Sequence, residues 1–238
     1  MKKKIIAMIP ARAGSQRLKL KNLAIINGKP LVYYAIKAAK KSKVFDKIVL
    51  NSDSDLFRPI SKRYNIDFYL RPKRMGNSQI KSDDVVNDFI EKYPNFDIVA
   101  WVNPIAPLQD EHDLKKIVRY FLKKKLDSLI TTEKKQVHAK YKNKAINFSK
   151  KGKFEKTQDL NPVELFSYTV MMWNIKKFKK KFEKYKSGIF CGKFSTFHLN
   201  NYKSLIVKTI FDLKLIEKVM QIKNSKLKAR YEKIYYKK

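Results

Sequence analysis

The sequence predicts an α/β fold built on a doubly wound, mainly parallel sheet. Short apolar runs at residues 5–9 (IIAMI), 47–50 (KIVL), 67–70 (DFYL), 97–102 (DIVAWV) and 128–132 (SLITT) read as strands, several of them buried on both faces. Between them lie stretches with apolar residues at helical spacing, and this strand–helix alternation is the mark of a parallel sheet covered by helices. With 238 residues the chain is long enough to bury a sizeable core. A single domain over residues 1–222 with a basic tail at 223–238 is the expected organisation.

The elements follow in order. Residues 30–39 place Leu31, Tyr34, Ala35 and Ala38 on one helical face, with Pro30 in the first turn, where its missing N–H does no harm. Residues 51–54 (NSDS) read as a turn capping a helix over 56–64, and Ser82 as the cap of a helix over 83–92 with Val85, Phe89 and Ile90 inward. A helix over 111–124 turns Leu114, Ile117, Val118, Phe121 and Leu122 to the core and lysines to water. The pattern breaks at 133–162, which is polar, contains Gly152 and alternates only briefly at 145–148; it reads as a small β-rich excursion, either a lid or a dimer contact. A core strand at 166–173, a helix at 175–185 and extended pieces at 196–199 and 205–207 follow. Thr209 then caps a helix through residue 220, with Asp212 as capping partner, and the lysine-rich tail from 223 is expected to fray.

Lysine and arginine total 55 against 21 acidic residues, a formal charge of +34. Such a balance raises nucleic-acid or membrane-surface binding as a reading. Arginine, the residue suited to bidentate phosphate and base recognition, occurs only at 12, 17, 58, 63, 71, 74, 119 and 230, and lysine supplies the excess along helix faces. Nucleic acid is therefore the weaker reading. Cys191 is the only cysteine, which excludes an intrachain disulfide and suits a reducing compartment. No run is apolar for long enough to span a membrane, and Pro10 and Arg12 interrupt the first one too early for a secretory signal, so a soluble cytoplasmic protein without membrane contact is expected.

Several chemistries drop out. Glycines at 14, 28, 76, 152, 188 and 192 cannot build G-x-G-x-x-G, and Gly28-Lys29 runs into Pro30 rather than a P-loop hydroxyl. His112, His138 and His198 are isolated and one cysteine completes no zinc site. No G-x-S-x-G elbow is present. What remains is the loop after the first strand, where Arg12, Arg17, Lys19 and Lys21 surround Gly14 and Ser15 at the end of the sheet that binds ligands in open α/β folds. An anionic ligand is the expected guest.

That stretch, IPARAGSQRLKLKN at 9–22, resembles the N-terminal signature of the acylneuraminate cytidylyltransferases, the CMP-sialic acid synthetases and their relatives for Kdo, pseudaminic and legionaminic acids. The likeness continues in order through Gly28-Lys29-Pro30-Leu31, Phe45-Asp46-Lys47-Ile48-Val49, Ser52-Asp53, Arg71-Pro72, Asn103-Pro104, Pro107-Leu108, Thr157-Gln158-Asp159-Leu160 and Asp212-Leu213. The resemblance implies a Rossmann-like nucleotidyltransferase sheet and transfer of CMP from CTP to an acidic sugar for surface polysaccharide, in a homodimer that uses Mg2+. It implies nucleotide contacts at Ala11, Arg12, Gly14, Ser15, Lys21 and Asn22, with Arg12 and Lys21 catalytic. Arg71 and Ser82 fall on the wall of the nucleotide pocket, and Asn103 falls where the family has a glutamine facing the sugar.

The departures from the family pattern are specific. Its Ser-Lys is Ser15-Gln16, its Pro-Gly is Lys19-Leu20, and its Gln-Pro-Thr-Ser-Pro-Leu-Arg is Asn103-Pro104-Ile105-Ala106-Pro107-Leu108-Gln109. Its Ile-Asp-Ile-Asp-Thr, which offers carboxylates to magnesium, reads Leu205-Ile206-Val207-Lys208-Thr209. Three outcomes stay open: Lys208 takes over part of the charge neutralisation, Asp53 or another carboxylate binds the ion, or catalysis is impaired and the chain is a nucleotide-sugar-binding relative. Asp53 itself reads as a helix-start residue before a ligand, and Asp212 as a cap.

Overall fold

The computed structural model describes residues 3–223. Its elements are β1 (Ile5–Pro10), β2 (Ile25–Ile26), β3 (Lys29–Pro30), α1 (Leu31–Ser42), β4 (Lys47–Ser52), α2 (Arg58–Arg63), β5 (Asp67–Leu70), α3 (Ser82–Lys92), β6 (Ile98–Val102) and α4 (Glu111–Lys123). After these come β7 (Ser128–Lys135), β8 (Lys140–Tyr141), β9 (Lys144–Ala145), β10 (Val163–Asn174), α5 (Ile175–Tyr185), β11 (Phe194–His198) and α6 (Ile210–Lys223). The central sheet has seven strands in the order β11-β7-β10-β6-β1-β4-β5. β1 pairs in parallel with β4 and β6, β4 with β5, and β7 with β11, while β10 runs antiparallel to both of its neighbours. The sheet is thus mainly parallel, as the strand–helix alternation predicts.

A parallel sheet needs cover on both faces. Successive β1 side chains point to opposite faces: Ile5, Ala7 and Ile9 pack with Val32 and Ile36 of α1 and Leu114, Ile117 and Phe121 of α4. Ile6 and Met8 pack instead with Val86, Phe89 and Ile90 of α3 and Phe178 of α5. A third, smaller cluster sets Leu213 and Ile216 of α6 against Ile26, Leu31, Leu108 and Val207, which brings the last helix to the ligand end of the sheet.

Several local expectations change. Pro30 lies just before α1, closing the β2–β3 hairpin, whose turn residues Asn27 (φ 46°) and Gly28 (φ 73°) adopt the left-handed conformation that tight hairpins demand. Ser82 is the first helical residue of α3 and makes no capping bond; Lys81 occupies the cap position, and the acidic Asp83 and Asp84 suit the helix dipole in the first turn. Residues 205–207 form no sheet strand; their tie is Val207 N–H to Ile105 O at 2.8 Å. The regular structure between residues 136 and 162 is a two-residue ladder joining β8 and β9 and one 3-10 turn, Thr157–Asp159, so the alternation at 145–148 yields little strand. The expected fraying tail falls at 224–238, outside the described residues.

The turn before α6 is pinned by charge. Lys203 is only 5% exposed, and its Nζ donates to Asp110 Oδ2 and to Asp113 Oδ2 (2.6 Å), the two residues whose reciprocal capping box starts α4. Partial burial works against ionisation of Asp110, but the Lys203 ammonium and the N–H groups of Asp113 and His112 outweigh it and hold the carboxyl at about 2. Its folded pKa lies below the unfolded value of about 4, so this stabilisation is complete above about pH 4 and is lost as the pH falls toward 2. Lys203→Met leaves two carboxylates facing one another and is expected to cost roughly 1–3 kcal/mol at pH 7. Urea unfolding at pH 7 and pH 3 should show the wild type losing more stability on acidification than the variant.

Candidate functional site

The strand order reverses at β1. From β1 the chain moves outward through β4 to β5, then returns to place β6 on the other side of β1. The carboxyl ends of these four parallel strands point the same way, and the loops leaving them diverge around a crevice at the switch point. There a cavity of about 240 Å³ is lined by Arg12, Lys21, Asn22, Arg71, Ser82 and Asn103, with Pro10, Met75, Asn77, Ile80, Val85, Trp101 and Ile105 completing the wall. Ala11, Gly14 and Ser15 lie outside this lining.

Each polar residue is aimed by a backbone device. Ala11 is fully buried, and its N–H donates to Asn51 O (2.8 Å), extending the β1–β4 ladder by one bond. The Asp53 carboxylate, just past β4, accepts from Ala13 N–H (3.2 Å) and faces Arg71 Nη2 at 3.6 Å. It thereby ties the loops after β1 and β5 together. Gly76 completes this contact, since a Cβ there would stand 2.0 Å from Asp53 Oδ2. Arg71 is buried, with its N–H on Ser52 O (2.8 Å). Burial lowers its pKa, Arg12 adds to that effect, and Asp53 and Asp88 oppose it.

Leu20 in the left-handed conformation (φ 48°) swings the chain into the short turn Lys21–Leu23. Asn22 is buried there and its Nδ2 donates to Arg12 O (3.4 Å), bolting the far end of the loop to the near one. Lys21 is half-buried beside Arg17 and Arg12; burial first, then those two cations and Lys208, lower its pKa, while Asp212 opposes them. Gly14 and Ser15 shape the bend between: Ser15 N–H is spent on Ala13 O (2.8 Å), so it is not aimed at a ligand. At Gly14 an added Cβ would meet only Gly76 O, at 3.7 Å.

On the other wall, Asn103 continues β6 by donating its N–H to Thr169 O (2.9 Å). Its side chain donates to Tyr168 O (3.1 Å) and accepts from Ile105 N–H (3.4 Å). Tyr168 has φ 54° where the β10–β7 register shifts, so a bulge in β10 orients Asn103. Ser82 is exposed at the first turn of α3, at the cavity edge.

Three buried polar atoms of cavity-lining residues have no protein partner: Asn22 Oδ1, Arg71 Nε and Trp101 Nε1. Buried polar atoms are almost always satisfied, yet residues of the cavity wall hold two donors and an acceptor that lack protein partners. Trp101 and the apolar wall of Met75 and Ile105 escaped the sequence reading. Trp101 carries a signal only in hindsight, as an indole at the carboxyl end of a buried strand. Asp53, read as a helix-start residue, acts as the tether between loops.

Magnesium requires hard oxygen donors. Among the described residues no three His, Cys, Asp or Glu side chains gather. Asp53 Oδ1 is occupied by Ala13 and Arg71, and Asp212 Oδ2 by Lys208 N–H, Thr209 N–H and Thr209 Oγ1. The described residues thus offer no all-protein cage for magnesium.

A family model described as cytidylyltransferase matches residues 6–234. The chain belongs to the cytidylyltransferase family. This cytidylyltransferase-family chain is 33% identical to the N-acylneuraminate cytidylyltransferase of Escherichia coli O18:K1:H7 over 121 residues, 51% of this chain and 29% of that protein. It is 32% identical to the pseudaminic acid cytidylyltransferase of Campylobacter jejuni over 124 residues, 50% of this chain and 53% of that protein. The matches span less than half the length of the acylneuraminate relatives. A solved CMP:2-keto-3-deoxy-manno-octonic acid synthetase complexed with CTP shares the fold, with a TM-score of 0.65 at 14% identity over 92% of this chain and 99% of that one.

Gly76→Ala tests the tether. Its Cβ displaces the Asp53 carboxylate, which should lower stability by about 1–3 kcal/mol and release Arg71 from its partner. Thermal unfolding is expected to show a lower midpoint for the variant.

Proposed function

We propose that the chain transfers CMP from CTP to a hydroxyl of an acidic sugar, sialic acid or a related nonulosonate, with release of pyrophosphate. The observation that carries this reading is the meeting of cationic Arg12, Lys21 and Arg71 with three unsatisfied buried polar atoms on one cavity at the switch point of the sheet. Relatives whose names specify N-acylneuraminate and pseudaminic acid support the acidic-sugar class. In the reaction the sugar oxygen bonds to the α-phosphorus as the bond from that phosphorus to the bridging oxygen breaks. Pyrophosphate leaves with the negative charge, and the hydroxyl proton goes to solvent. Lys21 and Arg12, at the mouth of the loop, hold the phosphates and the charge that grows on the leaving group. Arg71, Asn22 and Trp101 engage the nucleoside, and Asn103 stands toward the sugar.

The same proposal includes a cytoplasmic homodimer, with residues 133–162 serving as lid or dimer contact. No helix among the described residues is long and apolar enough to cross a membrane. Exposed Phe166, Phe190 and Phe194 pack on one another along the β10–β11 side, a surface suited to a second copy.

A pyrophosphate-release assay with CTP and a panel of acidic sugars tests the activity. Lys21→Ala should reduce turnover by about 10²–10³-fold; saturable CTP binding by the wild type without turnover on any sugar would support the catalytically impaired reading instead. Because the Lys21 pKa is lowered, Lys21 loses its charge at a lower pH than an ordinary lysine. CTP affinity should therefore fall early in an alkaline titration, and Lys21→Arg should push that fall to higher pH.

A further inference from the structure

The segment before α6 carries another cation to the rim of the cavity. Val207 is fully buried, and its N–H donates to Ile105 O (2.8 Å), which clips this backbone to a residue of the cavity wall. One position on, Lys208 N–H (2.9 Å) and Thr209 N–H (2.7 Å) donate to Asp212 Oδ2, which also accepts from Thr209 Oγ1 (2.9 Å). The backbone of Lys208 is therefore held on both sides, while its side chain is exposed. Its ammonium makes no ion pair among the described residues, and it lies within electrostatic reach of Lys21.

Arg12 and Lys21 line the cavity, Arg17 and Lys208 lie within electrostatic reach of Lys21, and Asp212 is the acidic group that Lys21 feels. Like charges gathered in this way repel one another until a polyanion arrives. Asp212 already spends its Oδ2 as the acceptor of three hydrogen bonds that start α6, which leaves Oδ1 alone to face a ligand. A carboxylate at position 208 would be a ligand for a divalent ion; a lysine there repels one and offers its own charge and three N–H donors. Lys208 is absent from the cavity lining, so it meets the part of a ligand that projects outward, and in a nucleoside triphosphate that part is the polyphosphate.

Resting on the reading of the cavity as a CTP site, we propose that Lys208, together with Lys21, takes the charge-neutralising place of a protein-held metal ion at the outer phosphates of CTP. The triphosphate binds this protein without a metal bridge to the chain. CMP, which lacks the outer phosphates, is indifferent to Lys208.

Calorimetric titrations of the full chain with CTP and with CMP, in magnesium and in EDTA, test this. The wild type should bind CTP in both buffers with affinities within about fivefold of one another. Lys208→Ala should weaken CTP binding in EDTA by roughly tenfold or more and leave CMP binding unchanged, and Lys208→Arg should restore CTP. Lys208→Asp should make CTP binding depend on magnesium. Lys208 is an exposed side chain, and an unchanged thermal midpoint confirms that each variant is folded. Wild-type binding of CTP only in magnesium, or unchanged CTP affinity in Lys208→Ala, overturns the proposal while leaving the CTP site standing. Absence of CTP binding in both buffers overturns the CTP reading and the proposal with it.

Discussion

Two-sided burial of β1 is the constraint on which the molecule depends. Ile5, Ala7 and Ile9 face one helical layer and Ile6 and Met8 the other, so neither face can turn to water without giving up a whole cluster. Parallel pairing on both edges follows, because parallel neighbours require long crossovers and the crossovers deliver the helices that cover the faces. Once β1 is central, its carboxyl end is the place where loops separate to left and right. The cationic stretch from Arg12 to Lys21 begins there. Fold and site are therefore coupled through six residues of strand.

The crevice stays open because its walls are tied at their roots rather than across their mouths. Asp53 joins the loops after β1 and β5, with Gly76 pressed against it; Asn22 joins the two ends of the first loop; the Tyr168 bulge orients Asn103. These ties engage the carboxylate that faces Arg71. What remains around the cavity is positive charge with little acidic compensation, together with buried polar atoms that lack partners. Both are unfavourable in the free protein, and both become favourable with a polar anion in place. An arrangement that is costly alone and satisfied by a ligand is the physical signature of a binding site.

Sequence alone determined the alternation of elements, the central strand, the amphipathic faces of α1, α3 and α4, and the Thr209–Asp212 capping box. All of these are local: periodicity and capping act within a few residues, and burial enforces them. It determined too that a family signature runs along the chain, and that carboxylates are replaced at 205–209. Tertiary structure alone decided which cations line the cavity, because Arg12 and Arg71 are far apart in sequence and meet only through strand order. It decided the antiparallel course of β10 and the orphaned Trp101 indole, neither of which leaves a periodic trace. It also decided that Asp53 is a tether rather than a cap. The carboxylate's identity is written in the sequence, but its partners, Ala13 and Arg71, are chosen by the packing of three loops that the sheet brings to one end.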